Sequence, residues 1–156
     1  ESNVKVVYCG SYRIKIANGK IINRKTYLPP FPPQKLMHRV LLSYNFIGTQ
    51  VLMAQKDALL KVGCFDEELK KMQDWDLVIR LSKEFRFGCT RLPLVNIYEH
   101  DKGRISDLSG NFISFIFKKH KTDAKNLLTA FLIFLYSIRQ KNKTIIFNYL
   151  KNVWFN

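Results

Sequence analysis

At 156 residues the chain is long enough for one domain with a hydrophobic core, and 47% apolar against 24% charged residues excludes a disordered or low-complexity segment. The formal net charge of +14 points to anionic partners, whether nucleic acid, sugar nucleotides or an acidic membrane surface, and selects none of them. Cys9, Cys64 and Cys89 are odd in number, widely spaced and without a CxxC pair, which argues against a disulfide scaffold or zinc ribbon and for a reduced, cytoplasmic setting.

The opening residues, ESNVKVVYCG, carry no signal-peptide pattern and enter a strand at once, as expected of a chain that starts inside a domain. Val4 to Tyr8 reads as a short buried strand. Tyr12 to Ile16 and Lys20 to Ile22 are apolar runs joined around Asn18-Gly19, a strong local hairpin signal. LPPFPP, Leu28 to Pro33, is a connector that neither a helix nor a central strand accommodates. Gln34 to Leu42 predicts a helix and Gln50 to Ala54 a short strand. Lys56 to Val62 predicts a short helix stopped by Gly63. Asp74 to Phe85 places Trp75, Val78, Leu81 and Phe85 at helical spacing, and Leu94 to Tyr98 predicts another strand. Strands and helices are mixed as far as Ser106, so the class is α/β.

Beyond that point the pattern becomes helical, over Asn111 to His120, Asn126 to Arg139 and Thr144 to Phe155. The expected organisation is therefore residues 1–110 followed by a basic, amphipathic helical tail at 111–156. The run Leu127 to Ile138 is apolar nearly all round yet well short of the ~20 residues that cross a bilayer. Residues 118–156 hold eight Lys or Arg against the single Asp123. Two readings of the tail stay open: an interfacial element on anionic lipid, or a helical pair packed on the rest of the chain.

The stretch VGCFDEELKKMQDWDLVIRL, Val62 to Leu81, is a turn followed by a helix with an acidic first turn. Asp74 and Asp76 stand where a helix N-terminus favours negative charge. A carboxylate held there can accept a proton, and it can equally serve only as a cap. Trp75 suits a core anchor or a platform for a sugar ring. His100, after a strand, suits a surface position or a ligand. Lys102, Arg104 and Ser106 form either a solvated basic loop or a phosphate-binding one.

FDEEL, then QDWDLVIRLS, then PLVNIYEHDKGRIS resembles the inverting family-2 glycosyltransferases of the GT-A fold, and Ile47 to Met53, IGTQVLM, resembles their acceptor-side strand. The likeness covers roughly residues 4–106. It implies a partial GT-A, Rossmann-like domain with a mixed sheet, the acceptor-side half of a sugar transferase. It implies that Asp74 is the general base, with Gln73, Trp75, Thr49, Gln50 and Arg104 at the substrates and His100 at a divalent metal, manganese or magnesium. Asp76 and Arg80 match positions that are usually structural. The DxD motif through which that family holds metal and nucleotide, at the end of a strand, has no counterpart here, since the DWD at 74–76 opens a helix; no glycine-rich phosphate loop replaces it.

The expected partners are a nucleotide-sugar and a saccharide or lipid-linked acceptor, in surface polysaccharide biosynthesis of the bacterial type. An anionic membrane surface at the inner face of the cytoplasmic membrane and a homodimer through an exposed strand edge complete the expectation. The chain by itself is expected to be inactive. The alternative is a basic membrane-surface or nucleic-acid module without catalysis. No helix-turn-helix, zinc-finger or RNA-recognition signature supports nucleic acid, and the charge is scattered.

Overall fold

The computed structural model describes residues 4–99, 112–141 and 143–154. The chain forms two compact units, Glu1–Phe31 with Phe46–Ser109, and Pro32–Asn45 with Gly110–Asn156. The first is α/β and the second is helical.

The first unit is organised by one long strand, β1 (Val4–Ala17). One edge of β1 pairs antiparallel with β3 (Leu52–Ala54) at Val6 to Tyr8 and with β2 (Lys20–Tyr27) at Ser11 to Ala17. Its other edge pairs parallel with β4 (Arg86–Glu99) from Val4 to Lys15. The sheet is therefore mixed. The hairpin turn lies at Asn18-Gly19, with φ of 50° and 72°, the positive pair that a tight two-residue turn of the I′ kind needs.

Three expectations about this sheet change. The two runs Val4 to Tyr8 and Tyr12 to Ile16 are one continuous strand. Gly10 sits mid-strand because a β-carbon there would lie 3.0–3.1 Å from the carbonyl oxygens of Leu92, Arg91 and Tyr27. The strand expected at Leu94 to Tyr98 begins at Arg86 and runs through Pro93, which the ladder accepts because the register shifts on both sides of its partner Gly10. The strand expected from Gln50 is a 3₁₀ turn at Thr49–Val51, and only Leu52–Ala54 is extended.

Among the described residues of this unit two helices join the sheet, α2 (Lys56–Lys61) and α3 (Gln73–Glu84). α2 ends in a Schellman arrangement: Cys64 N–H donates to Leu59 C=O at 2.9 Å and Gly63 N–H to Leu60 C=O at 3.1 Å, with Gly63 at φ 82°. The core gathers Val6, Tyr8, Phe46, Ile47, Leu69, Leu77, Ile79, Leu81 and Phe87. Tyr8 meets Phe31, Phe46 and Phe87 edge-on and donates its hydroxyl to Pro30 C=O at 2.7 Å. That bond satisfies the one polar atom of a buried ring.

The second unit joins α1 (Gln34–Ser43) to α4 (Phe112–Lys119), α5 (Lys121–Ala124), α6 (Leu127–Arg139) and α7 (Lys143–Tyr149), the last running into a π-type turn at Leu150–Trp154. The sequence reading groups α1 with residues 1–110, whereas α1 packs here with the C-terminal helices. Tyr44 stacks on Tyr136 with centroids 4.8 Å apart and planes at 13°. Tyr149 is buried, with Phe117 edge-on to it at 5.4 Å.

Candidate functional site

The turn after α2 and the start of α3 are locked to each other by one arginine. Asp76 is fully buried, and its carboxylate is answered by Arg80 one helical turn on, with Nη2 at 2.7 Å and Nε at 2.9 Å. Arg80 also donates to Val62 C=O, and to Cys64 C=O at 2.7 Å. The FDEEL segment folds back by its own bonds. Glu68 N–H donates to the Asp66 carboxylate at 2.9 Å and Leu69 N–H to Asp66 C=O at 3.2 Å, with Leu69 buried. These residues are framework. They fix where α3 begins and hence where its first turn points.

Met72, with φ 64°, occupies the N-cap of α3 and makes no side-chain cap bond. Asp74 is thus not the N-cap residue but the second helical residue. Its Oδ1 accepts the N–H of Trp75 at 2.7 Å, and the side chain is half-buried. Across from it stands the 3₁₀ turn. A β-carbon built on Gly48 would lie 3.6 Å from Asp74 Oδ2 and 3.0 Å from Gln50 Oε1. The structure therefore brings the Asp74 and Gln50 side chains to the space beside Gly48, with Thr49 and Gln50 exposed. Gly48 has φ −76°, an ordinary value, so glycine serves here as space and not as conformational freedom.

Gly48 is the residue that reasoning from the sequence missed. Its only signal is its place in the IGTQ run beside Thr49. Gln73 opens α3 beside Asp74 and is half-buried. Trp75 is 6% exposed and belongs to the core, which leaves little ring face for a sugar. His100 and Arg104 lie outside the described residues, as do Lys102 and Ser106.

The metal expectation rests on His100, which lies outside the described residues. Among them no group of three or more His, Cys, Asp or Glu side chains is placed to hold an ion. The Asp74-Trp75-Asp76 triplet offers no pair of ligands either, because the Asp76 carboxylate is buried and engaged by Arg80. What the arrangement can do is accept a proton at Asp74 from a hydroxyl lying over the Gly48 to Gln50 turn, beside the favourable end of the α3 dipole.

No family profile matches the chain. Over 146 residues, 88% of its length, it is 26% identical to the putative colanic acid biosynthesis glycosyl transferase WcaA of Escherichia coli strain K12. It spans half, 50%, of the length of that relative. The chain is thus related in sequence to a glycosyltransferase over most of its own length.

Proposed function

We propose that the chain is the acceptor side of an inverting sugar transferase of the family-2, GT-A type, acting in polysaccharide biosynthesis, with Asp74 as its general base. The observation that carries this is the half-buried Asp74 carboxylate, set in the first turn of α3 against the Gly48 to Gln50 turn. The relationship to a putative colanic acid transferase supports the class of reaction.

In this mechanism the acceptor hydroxyl lies over Gly48, within reach of Asp74. As its oxygen attacks the anomeric carbon, its proton passes to the Asp74 carboxylate. The bond from that carbon to the nucleoside-diphosphate oxygen breaks on the opposite face, so the configuration inverts. Gln50 and Thr49 orient the acceptor by hydrogen bonds. Asp76 and Arg80 position the helix and touch no substrate. The donor is held by residues beyond these, so this chain alone is expected to turn over nucleotide-sugars negligibly.

The test is Asp74→Asn in the active transferase, assayed with a panel of nucleoside-diphosphate sugars. The expected loss in kcat is about 10²–10⁴-fold, the usual scale for a general base. Donor affinity and melting temperature should hold, since Asn remains compatible with the start of a helix. An unchanged kcat removes Asp74 from the role.

A further inference from the structure

The helix α6 exposes a strongly apolar side. Its inward side carries Thr129, Ile133 and Ser137 at i, i+4 and i+8, all buried, so two of the three are hydroxyl residues. Its outward side carries Phe131 at 56% exposure, Phe134, Leu135 and Ile138 at 57% exposure, spaced i, i+3, i+4 and i+7 along one stripe. Phe147, Leu150 and Trp154 repeat an exposed apolar spacing through α7 and the following turn of the same unit. Single exposed apolar side chains are ordinary, whereas a continuous stripe of four marks a contact surface.

Charge decides between occupants. Lys125 precedes α6, Arg139 ends it and Lys141 follows it, all exposed, so both ends of the stripe are basic. Residues 118–156 carry eight Lys or Arg and one acidic residue. A second copy would bring the same positive field against this one and be repelled. An anionic bilayer supplies both an apolar phase for the stripe and negative headgroups for its ends.

We propose that this face of the helical unit is a lipid-contact surface, on which α6 lies in the headgroup region of an anionic membrane with Phe131, Phe134, Leu135 and Ile138 turned into the acyl boundary. Its thirteen residues span roughly 20 Å, short of a ~30 Å hydrocarbon core. Among the described residues no helix is long and apolar enough to cross a membrane. The element lies on the bilayer and does not pass through it. This inference stands apart from the transferase reading, because it uses none of the residues around Asp74.

The experiment is co-sedimentation of the full chain with phosphatidylcholine vesicles and with vesicles containing one-third phosphatidylglycerol. Binding is expected to the second and to be weak with the first. The double variant Phe134→Gln/Ile138→Gln should lose at least about tenfold in partitioning. Arg139→Gln/Lys141→Gln should lose about 25-fold on the anionic vesicles only, near fivefold per basic residue. All four side chains are exposed, so melting temperatures should hold. Equal binding to both vesicle types, or unchanged binding of the apolar double variant, overturns the proposal. So does a lipid-free dimer in sedimentation velocity that the apolar variant dissolves while no vesicle binding is seen, since the occupant is then a second copy.

Discussion

Asp76 has no exposed surface and spends its charge on Arg80, while Asp74, two residues earlier, keeps a half-open side facing Gly48. Removing one partner of a buried ion pair strands the other, and Arg80 also holds Val62 C=O and Cys64 C=O. Asp76→Ala should therefore cost about 3 kcal/mol in urea unfolding, the low end of the range because the Arg80 side chain keeps 19% exposure. Because Arg80 can keep its bonds to the Val62 and Cys64 carbonyls, kcat per folded molecule should fall far less than in Asp74→Asn. Gly48→Ala should do the reverse. Its methyl group would press on the Gln50 Oε1, the far end of a flexible side chain, so the stability change should stay below about 1 kcal/mol. The same methyl would stand 3.6 Å from the Asp74 carboxylate, where the acceptor oxygen has to lie, so kcat/KM should fall by at least about tenfold. A Gly48→Ala enzyme with full kcat/KM would mean that the acceptor approaches from elsewhere. The acidic first turn of α3 was legible in the sequence because charge at a helix start has a local cause. The pairing of Asp74 with Gly48 was not legible, because it arises from tertiary approach between segments that no spacing rule connects.

At the scale of elements, what the sequence announced were local punctuation marks. Asn18-Gly19 gave the hairpin, Gly63 the end of α2, and the apolar spacing of α3 its length to within a residue at either end. β2 was underestimated because Asn23 to Thr26 shows no alternation, yet its ladder is joined by Arg24 over the Tyr12 ring at 4.0 Å and Arg13 over Tyr27 at 5.0 Å. α5 was missed because four residues carry too little periodicity. Tyr149 ties α5 to the end of the chain: its hydroxyl donates to Ala124 C=O at 2.7 Å and accepts from Trp154 Nε1 at 3.1 Å. Burial pushes the Tyr149 phenol above its ordinary value, against a smaller opposing effect from the Trp154 hydrogen bond. The folded state thus binds this proton more tightly than the unfolded state. Its contribution is complete below pH about 10, the ordinary tyrosine value, and is lost as pH rises from there through the folded value. Thermal melts should show that decline above pH about 10, and Tyr149→Phe should flatten it while lowering stability at neutral pH by about 1–3 kcal/mol. An identical alkaline decline in Tyr149→Phe would assign the effect to other groups.

On the scale of the whole molecule, the chain visits its units in alternation, because residues 32–45 leave the α/β unit, contribute α1 to the helical one, and return at Phe46. A boundary drawn from composition alone falls near residue 110, where the polar and apolar pattern changes. It does not register α1, whose own amphipathic pattern fits either unit equally well. The packing distinguishes them. Met37, Leu41 and Leu42 of α1 are buried, and Tyr44 beside them stacks on Tyr136 of α6. A chain ending at residue 110 would keep the sheet, α2 and α3 but remove the helices α1 packs with. Uncovering three large apolar side chains forfeits about 1.5–3 kcal/mol for each and leaves a contiguous apolar surface. Residues 1–110 alone should therefore bind a hydrophobic dye such as ANS and scatter light as concentration rises, whereas the full chain should do so far less. A second truncation, lacking α1 as well through replacement of residues 32–45 by a flexible glycine-serine linker, should recover solubility if the α/β unit holds its own core. If residues 1–110 stay monomeric and bind no dye, α1 is not held by the C-terminal helices, and the boundary near residue 110 is the physical one.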